Sequence, residues 1–157
     1  MDFLKAFGIE PGKGRRCEEI VYSTALFYNL IEAKVSSYLS TFNLTSAKFN
    51  VLMILQHQAG RGGMSQVDIS RHLIVTASNM TRLLDNLEKE GLAQRSALRD
   101  DRRVKTIRIT SKGSQLLDRA WPGYVDALKI LASPLSLNEQ KTLAGILAKS
   151  VNELGNK

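Results

Sequence analysis

The chain has 157 residues, of which 43% are hydrophobic and 24% charged, and this composition is ordinary for one folded domain. No stretch approaches the roughly 18 apolar residues of a membrane-spanning helix. The N-terminus lacks the pattern of a signal peptide, so we expect a cytoplasmic protein. The single cysteine, Cys17, excludes an internal disulfide and a cysteine-based zinc site.

The net charge of +7 is concentrated in the middle third of the chain. Residues 61–113 carry eleven Lys and Arg against six Asp and Glu, whereas residues 1–60 carry six against five and residues 114–157 five against four. A localised basic excess favours a polyanionic partner, most commonly nucleic acid. Charge alone is equally compatible with a solvated basic surface.

The first half of the chain has the apolar periodicity of helices. A long helix is predicted from Glu18 to Ser40, and its apolar stripe needs cover from another helix or a second subunit. Thr45 is a natural N-cap for a second helix, which ends at the glycine-rich turn 60–63.

Two further helices follow in close succession. Ser65 opens a short helix that ends near Leu73, and Thr76 caps another that runs to about Glu90. Gly91 is the expected left-handed stop of that helix. The spacing predicts a helix-turn-helix unit.

The pattern then changes to strands. Residues 92–96 and 104–110 are strand-like, and the charged segment 97–103 between them predicts the tip of a hairpin. A helix follows and is broken by Pro134, and a capping box at Ser136 opens the last helix. The predicted order is four helices, a hairpin and two helices.

A helix-turn-helix followed by a charged hairpin is the winged helix-turn-helix arrangement. The N-terminal residues of its second helix meet base edges in the major groove. Here these residues are small or hydrogen-bonding, and they are Thr76, Ala77, Ser78, Asn79, Thr81 and Arg82. An ordinary amphipathic helix would also show a polar face, but the arginines of the hairpin tip favour DNA binding, because arginine can enter a narrow minor groove. Those arginines are Arg99, Arg102 and Arg103.

The central region resembles the MarR (multiple antibiotic resistance regulator) family of transcriptional regulators. The resemblance covers residues 44–117 and rests on an ordered set of motifs, which are Leu44-Thr45, Ser65-Gln66, Thr81-Arg82, Leu87-Glu88-Lys89 before Gly91-Leu92, Asp101-Arg102-Arg103, and Thr110-x-x-Gly113. It implies that Arg103 enters the minor groove and that Asp101 orients the wing. It also places Ser65 and Gln66 in the DNA-binding region. One departure is that Leu98-Arg99 stands where the family often has proline.

The resemblance also implies an organisation and a function. The fold is mainly α, with residues 44–112 as the winged helix-turn-helix and 1–14 as an N-terminal arm. Residues 15–43 and 113–157 are the flanking dimerisation helices. The implied protein is a bacterial repressor that binds a pseudo-palindromic operator as a homodimer and responds to a small molecule, with a phenolic-type effector as the candidate, or to another signal. It has no cofactor and no metal.

Other functions remain open on the residues alone. A winged helix can bind a protein instead of DNA, although the wing and recognition helix here carry arginines rather than apolar side chains. An enzyme is disfavoured because no catalytic constellation is present. Cys17, near the start of the first helix, is a candidate redox sensor but is expected to be inert. His57 and His72 are expected to be partly buried.

An effector pocket would need aromatic and polar lining residues. The candidates are five side chains of the first two helices: Tyr22, Tyr28, Phe49, Met53 and His57. Their spacing fits core packing equally well, and core packing is the preferred interpretation.

Overall fold

The computed structural model describes residues 3–10, 12–60, 62–73, 77–97 and 105–155, with the side chains of 3, 77, 78 and 97 left undescribed. Within these ranges, a 3₁₀ turn at Phe3–Phe7 is followed by six helices and three short strands. In chain order they are α1 (Arg16–Ser40), α2 (Ser46–Gln58), β1 (Met64–Ser65), α3 (Gln66–Arg71), α4 (Ala77–Lys89), β2 (Ala93–Ala97), β3 (Lys105–Ile109), α5 (Ser111–Ala132) and α6 (Leu137–Gly155). The predicted fold, mainly helical with a small hairpin, is confirmed.

Short-range capping explains where several helices begin. The Thr45 hydroxyl accepts a hydrogen bond from the amide of Lys48 at 3.2 Å, which satisfies one of the free N–H groups of α2. Ser65 accepts from the amide of Asp68 at 3.1 Å and starts α3 in the same way. At α6, the amide of Ser136 donates to the Glu139 carboxylate at 2.8 Å, as in a capping box. Thr76, the predicted cap of α4, lies outside the described residues.

The sheet contains one strand that the sequence did not predict. Its order is β1-β3-β2, and both pairings are antiparallel. Strands β2 and β3 form the predicted hairpin, with Arg95 opposite Ile107. The two-residue strand β1 adds to the other edge of β3, where Met64 pairs with the same Ile107. The root of the hairpin is thus held from both sides.

The hydrophobic core joins the central unit to the flanking helices. Phe49 and Leu52 of α2 and Leu84 of α4 are at most 1% exposed, and they pack in one cluster with Leu39 of α1 and Leu117 of α5. Burying side chains of this size stabilises a fold by roughly 1.5–3 kcal/mol each. The DNA-binding unit predicted for residues 44–112 therefore shares its core with α1 and α5.

The end of α4 is tied to the start of α5. Gly91 adopts φ +71°, and the amide of Leu92 donates to the carbonyl of Leu87 at 2.8 Å, as expected of a left-handed helix stop. The Thr110 hydroxyl donates to the carbonyl of Gly91 at 2.7 Å and accepts from the amide of Gly113 at 3.1 Å. One threonine therefore caps α5 and anchors it to the end of α4.

The terminal helices leave large apolar surfaces uncovered. No residue of α6 is buried in this chain, and an apolar stripe runs along it: Leu143, Ile146, Leu147, Val151 and Leu154. In α1, Ile20, Val21 and Leu30 are each at least 60% exposed. Among the described residues, no helix has both the length and the apolar character needed to cross a membrane.

Several predicted environments were wrong. His57 and His72 are exposed rather than partly buried, because α2 and α3 turn these positions away from the core. Tyr22 and Tyr28 are 40% and 61% exposed and do not belong to the core of the chain. Phe49, by contrast, is a core residue, as preferred.

Candidate nucleic-acid interface

Helices α3 and α4 form a compact helix-turn-helix. Ile69 of α3 and Met80 of α4 are fully buried and belong to the common core. On the outside, the Gln66 side-chain amide donates to the hydroxyl of Thr81 at 2.8 Å. The two helices are thus joined by apolar packing on one side and by a polar contact on the other.

The exposed face of α4 is polar and carries no acid in its first turn. Asn79, Thr81 and Arg82 are exposed, as predicted for residues that would address DNA. Ser78 belongs to the helix, but its side chain is among those not described, and Thr76 lies outside the described residues. The helix therefore presents amide, hydroxyl and guanidinium groups, which are the groups that read base edges and bind phosphates.

The structure describes the root of the wing and not its tip. The predicted tip residues Arg99, Asp101, Arg102 and Arg103 all lie outside the described residues. At the root, Ser96 and Thr106 approach through their hydroxyls at 3.3 Å, and Thr106 is buried. Lys105 and Arg108 of β3 are exposed, so the described root itself carries two cations.

Ser65, which is predicted to contact DNA, forms hydrogen bonds within the protein. Its hydroxyl donates to the Asp68 carboxylate at 2.6 Å while accepting from the Asp68 amide. Of the two predicted residues at the start of α3, Gln66 makes the direct contact with the α4 face.

A cluster of charges that the sequence analysis missed joins α4 to β2. Nη1 of Arg95 lies 2.6 Å from the Asp85 carboxylate and 2.7 Å from that of Glu88. The amide of Arg95 also donates to Glu88 at 3.1 Å, and this backbone hydrogen bond is the main reason why the pKa of Glu88 is lowered. Burial alone lowers the pKa of Arg95, but the hydrogen bonds to Asp85 and Glu88 outweigh it, so that pKa is raised.

A second missed pair lies directly after the C-terminal end of α4. Lys48 of α2 is 14% exposed at its side chain and forms an ion pair with Glu90 at 2.6 Å. Lys112 of α5 donates to the carbonyl of Glu90 at 2.7 Å. The spacing of these residues in the sequence contains no signal for either pairing, since both depend on how the helices pack.

Three further observations on the described residues concern possible ligand sites. Within the described ranges, no group of three or more His, Cys, Asp and Glu side chains could hold a metal ion. A cavity of about 280 Å³ opens between α2 and α5, and its lining is mixed: Met53, Gln56, His57, Leu117, Asp118 and Trp121. Cys17 is exposed in the first turn of α1.

A helix-turn-helix with a polar recognition face and an adjacent antiparallel hairpin defines a winged helix-turn-helix protein. The family model described as the MarR family matches residues 44–105. The HTH-type transcriptional regulator PrsX of Escherichia coli is 31% identical over 124 residues, which cover 79% of this chain and 74% of that protein. The chain belongs to the MarR family of DNA-binding transcriptional regulators.

Solved structures agree with this assignment. MepR of S. aureus, solved as a DNA complex, superposes with a TM-score of 0.76 at 27% identity, covering 85% of this chain and 97% of that one. A mutant of E. coli MarR, solved with operator DNA, superposes with a TM-score of 0.73 at 25% identity, covering 85% of this chain and 96% of that one.

Proposed function

We propose that this protein is a repressor that binds a pseudo-palindromic operator as a homodimer and is released by a small-molecule effector. The observation that carries the proposal is the outer face of α4, which exposes Asn79, Thr81 and Arg82 beside the cationic root of the wing. This arrangement suits a helix that enters the major groove while the wing follows the adjacent backbone.

The contacts are divided between two grooves. Arg82 addresses guanine or phosphate in the major groove, and Arg103 enters the minor groove with Asp101 orienting the wing. The remaining contacts with bases or phosphates come from the flanking positions: Ser65, Gln66, Thr76, Ser78, Asn79, Thr81, Arg99 and Arg102. Residues 44–112 form this DNA-binding region.

The dimer is formed by the terminal regions 15–43 and 113–157. The uncovered apolar stripe of α6 supports this assignment, because soluble proteins rarely leave such a surface exposed to water. A two-fold dimer places its two recognition helices on half-sites about one DNA turn, roughly 34 Å, apart. The MepR and E. coli MarR structures contain DNA, and they support the role of DNA as the partner.

The effector is an aromatic acid of phenolic type that binds between α2 and α5. The cavity there has an aromatic side chain, Trp121, together with His57, which can donate to a carboxylate. Trp121 is the one tryptophan of the chain, so its fluorescence reports on the cavity. Titration with 4-hydroxybenzoate should quench it saturably, whereas cyclohexanecarboxylate should not. Equal, non-saturating responses to both would contradict this site.

Selection from a random pool of duplexes, followed by fluorescence anisotropy, tests DNA recognition. We expect an inverted repeat whose affinity falls steeply with salt and resists a scrambled competitor. Arg82→Ala and Arg103→Ala should each weaken binding about tenfold or more, and Lys13→Ala in the exposed N-terminal arm is the control. Failure to select any sequence would contradict the proposal and favour a winged helix that binds a protein.

A further inference from the structure

Two carboxylates of the recognition helix α4 converge on one arginine of the wing. We propose that Arg95 is a positioning residue for DNA binding, which fixes the wing to α4 and neutralises Asp85 and Glu88. The inference rests on the proposed DNA-binding function. It assigns a role to three residues that are not among the predicted DNA contacts.

The contact between Arg95 and Glu88 involves both backbone and side chain. The Glu88 carboxylate accepts from the Arg95 amide at 3.1 Å through one oxygen and from its guanidinium at 2.7 Å through the other. The same guanidinium nitrogen reaches Asp85 at 2.6 Å. Charge-assisted hydrogen bonds are the stronger class, and the two to Glu88 together with the ion pair to Asp85 define the position of Arg95 closely. β2 is therefore held against α4 at Arg95.

The position of Arg95 along the strand matters for the wing. Arg95 is paired with Ile107, which is 2% exposed and also pairs with Met64 of β1. The core thus holds the hairpin root through Ile107, and α4 holds it through Arg95. This attachment therefore fixes β2, the strand that leads into segment 98–104, relative to α4 and Arg82.

The ion pair also removes an electrostatic obstacle. Asp85 and Glu88 are three residues apart on one face of α4, where like charges repel each other. Asp85 follows Arg82 by the same spacing, within one turn. Without Arg95, two unpaired carboxylates would stand close to a helix face that must approach phosphates. At physiological salt, the screening length of about 8 Å leaves much of that repulsion in place.

The stability of the fold depends little on this cluster. The side chains of Asp85 and Glu88 are 56% and 40% exposed, and ion pairs that are exposed to this degree contribute little to folding. The consequence of losing Arg95 should therefore be seen in DNA binding and in the local protection of β2, with only a small change in the unfolding midpoint.

Three variants separate the two parts of the role. Arg95→Met removes the attachment of β2 to α4 and leaves the carboxylates of Asp85 and Glu88 unpaired. Arg95→Lys keeps the positive charge but can donate fewer hydrogen bonds. The triple variant Asp85→Asn, Glu88→Gln, Arg95→Met removes the whole cluster. Lys13→Met in the exposed N-terminal arm, outside the proposed DNA-binding and dimerisation regions, is the control. Affinity for the selected duplex and for a scrambled duplex is measured by anisotropy over a salt series, and amide hydrogen exchange is measured on the free protein.

We expect Arg95→Met to lose at least about tenfold in affinity for the selected duplex, because truncating one partner of a paired charge leaves the other uncompensated. Arg95→Lys should lie between this variant and the wild type. The triple variant should regain wild-type affinity for the scrambled duplex but not for the selected one. Hydrogen exchange should speed up in β2 of Arg95→Met, and the control should match the wild type in every measurement.

Binding of the selected duplex by Arg95→Met within about twofold of the wild type would overturn the inference. A triple variant as weak as Arg95→Met on the scrambled duplex would also overturn it, because Arg95 would then contact phosphate directly. If the wild-type protein selects no DNA, the proposed function fails first, and the role of Arg95 in DNA binding fails with it. Unchanged exchange in β2 would separately refute the attachment of the wing.

Discussion

Replacing Gly113 with alanine should strongly destabilise the protein. Gly113 is the third residue of α5, and its amide donates to the capping hydroxyl of Thr110. An added Cβ would overlap the carbonyl oxygen of Leu92 and lie 2.9 Å from Cγ1 of Ile109. Because the main obstacle is backbone, no side-chain rotation can relieve the overlap, and α5 must move away from the end of α4.

The magnitude follows from the contacts that this movement breaks. Overpacking a tight site costs about 1–3 kcal/mol. The carbonyl of Leu92 also accepts hydrogen bonds from the amide and hydroxyl of Thr110 at 3.1 and 3.2 Å, and losing each costs about 1 kcal/mol. Alanine regains about 1 kcal/mol through its helix propensity. We therefore expect a net loss of about 2–4 kcal/mol in the free energy of unfolding.

Urea denaturation followed by circular dichroism measures this loss, at one fixed protein concentration because the proposed dimer would add to stability. The midpoint of thermal unfolding should fall by roughly 5–15 °C for a domain of this size. The matched control is Gly145→Ala in α6, where an added Cβ meets no atom within 4 Å. It should raise stability by about 0.5–1 kcal/mol. A Gly113→Ala variant as stable as the wild type would refute the close approach of α5 to Leu92.

Three further perturbations test separate parts of the structure. Thr110→Val should lower the free energy of unfolding by about 1–2 kcal/mol, because the amide of Gly113 loses its cap, and urea denaturation measures this change; an unchanged midpoint would show that the cap contributes nothing. In light scattering, the wild type should have the mass of the proposed dimer and Leu147→Glu on the apolar face of α6 that of a monomer; a variant that keeps the dimer mass would place the interface elsewhere. The hydrogen bond from the Arg95 amide lowers the pKa of Glu88 below its ordinary value of 4.5 in the folded protein, so its stabilising contribution is present above that value and is lost as the pH falls through the lowered pKa. Acid unfolding curves should therefore show a slightly smaller stability loss below about pH 4.5 for Glu88→Gln than for the wild type, and a larger loss for the variant would count against the hydrogen bond.

The parts of the fold that depend on neighbouring residues could be predicted from the sequence. Thr45 and Ser65 cap helices through atoms three residues away, and Gly91 stops α4 by its own backbone conformation. Such local geometry is encoded by residue type and spacing. The polar face of α4 was predictable for the same reason, since a helical period alone places Asn79 and Arg82 outside.

The parts of the structure that depend on contacts between residues distant in sequence could not be predicted from the sequence. Strand β1 has two residues, too few for an alternating pattern, and it exists because Met64 meets Ile107 across the sheet. The cluster around Arg95 requires β2 to fold back against α4, so the sequence spacing gives no signal for the ion pairs of Arg95 with Asp85 and Glu88. The predicted partial burial of His57 was wrong because helical periodicity does not give the width of the buried face of α2.

Hydroxyl-radical footprinting of the selected duplex tests the central claim most directly. A dimer that reads DNA with α4 should protect two patches related by a dyad, with centres about one helical turn apart and two chains bound per duplex. Arg95→Met should weaken both patches together. A single protected patch, or uniform protection that follows the duplex at every sequence, would contradict the account.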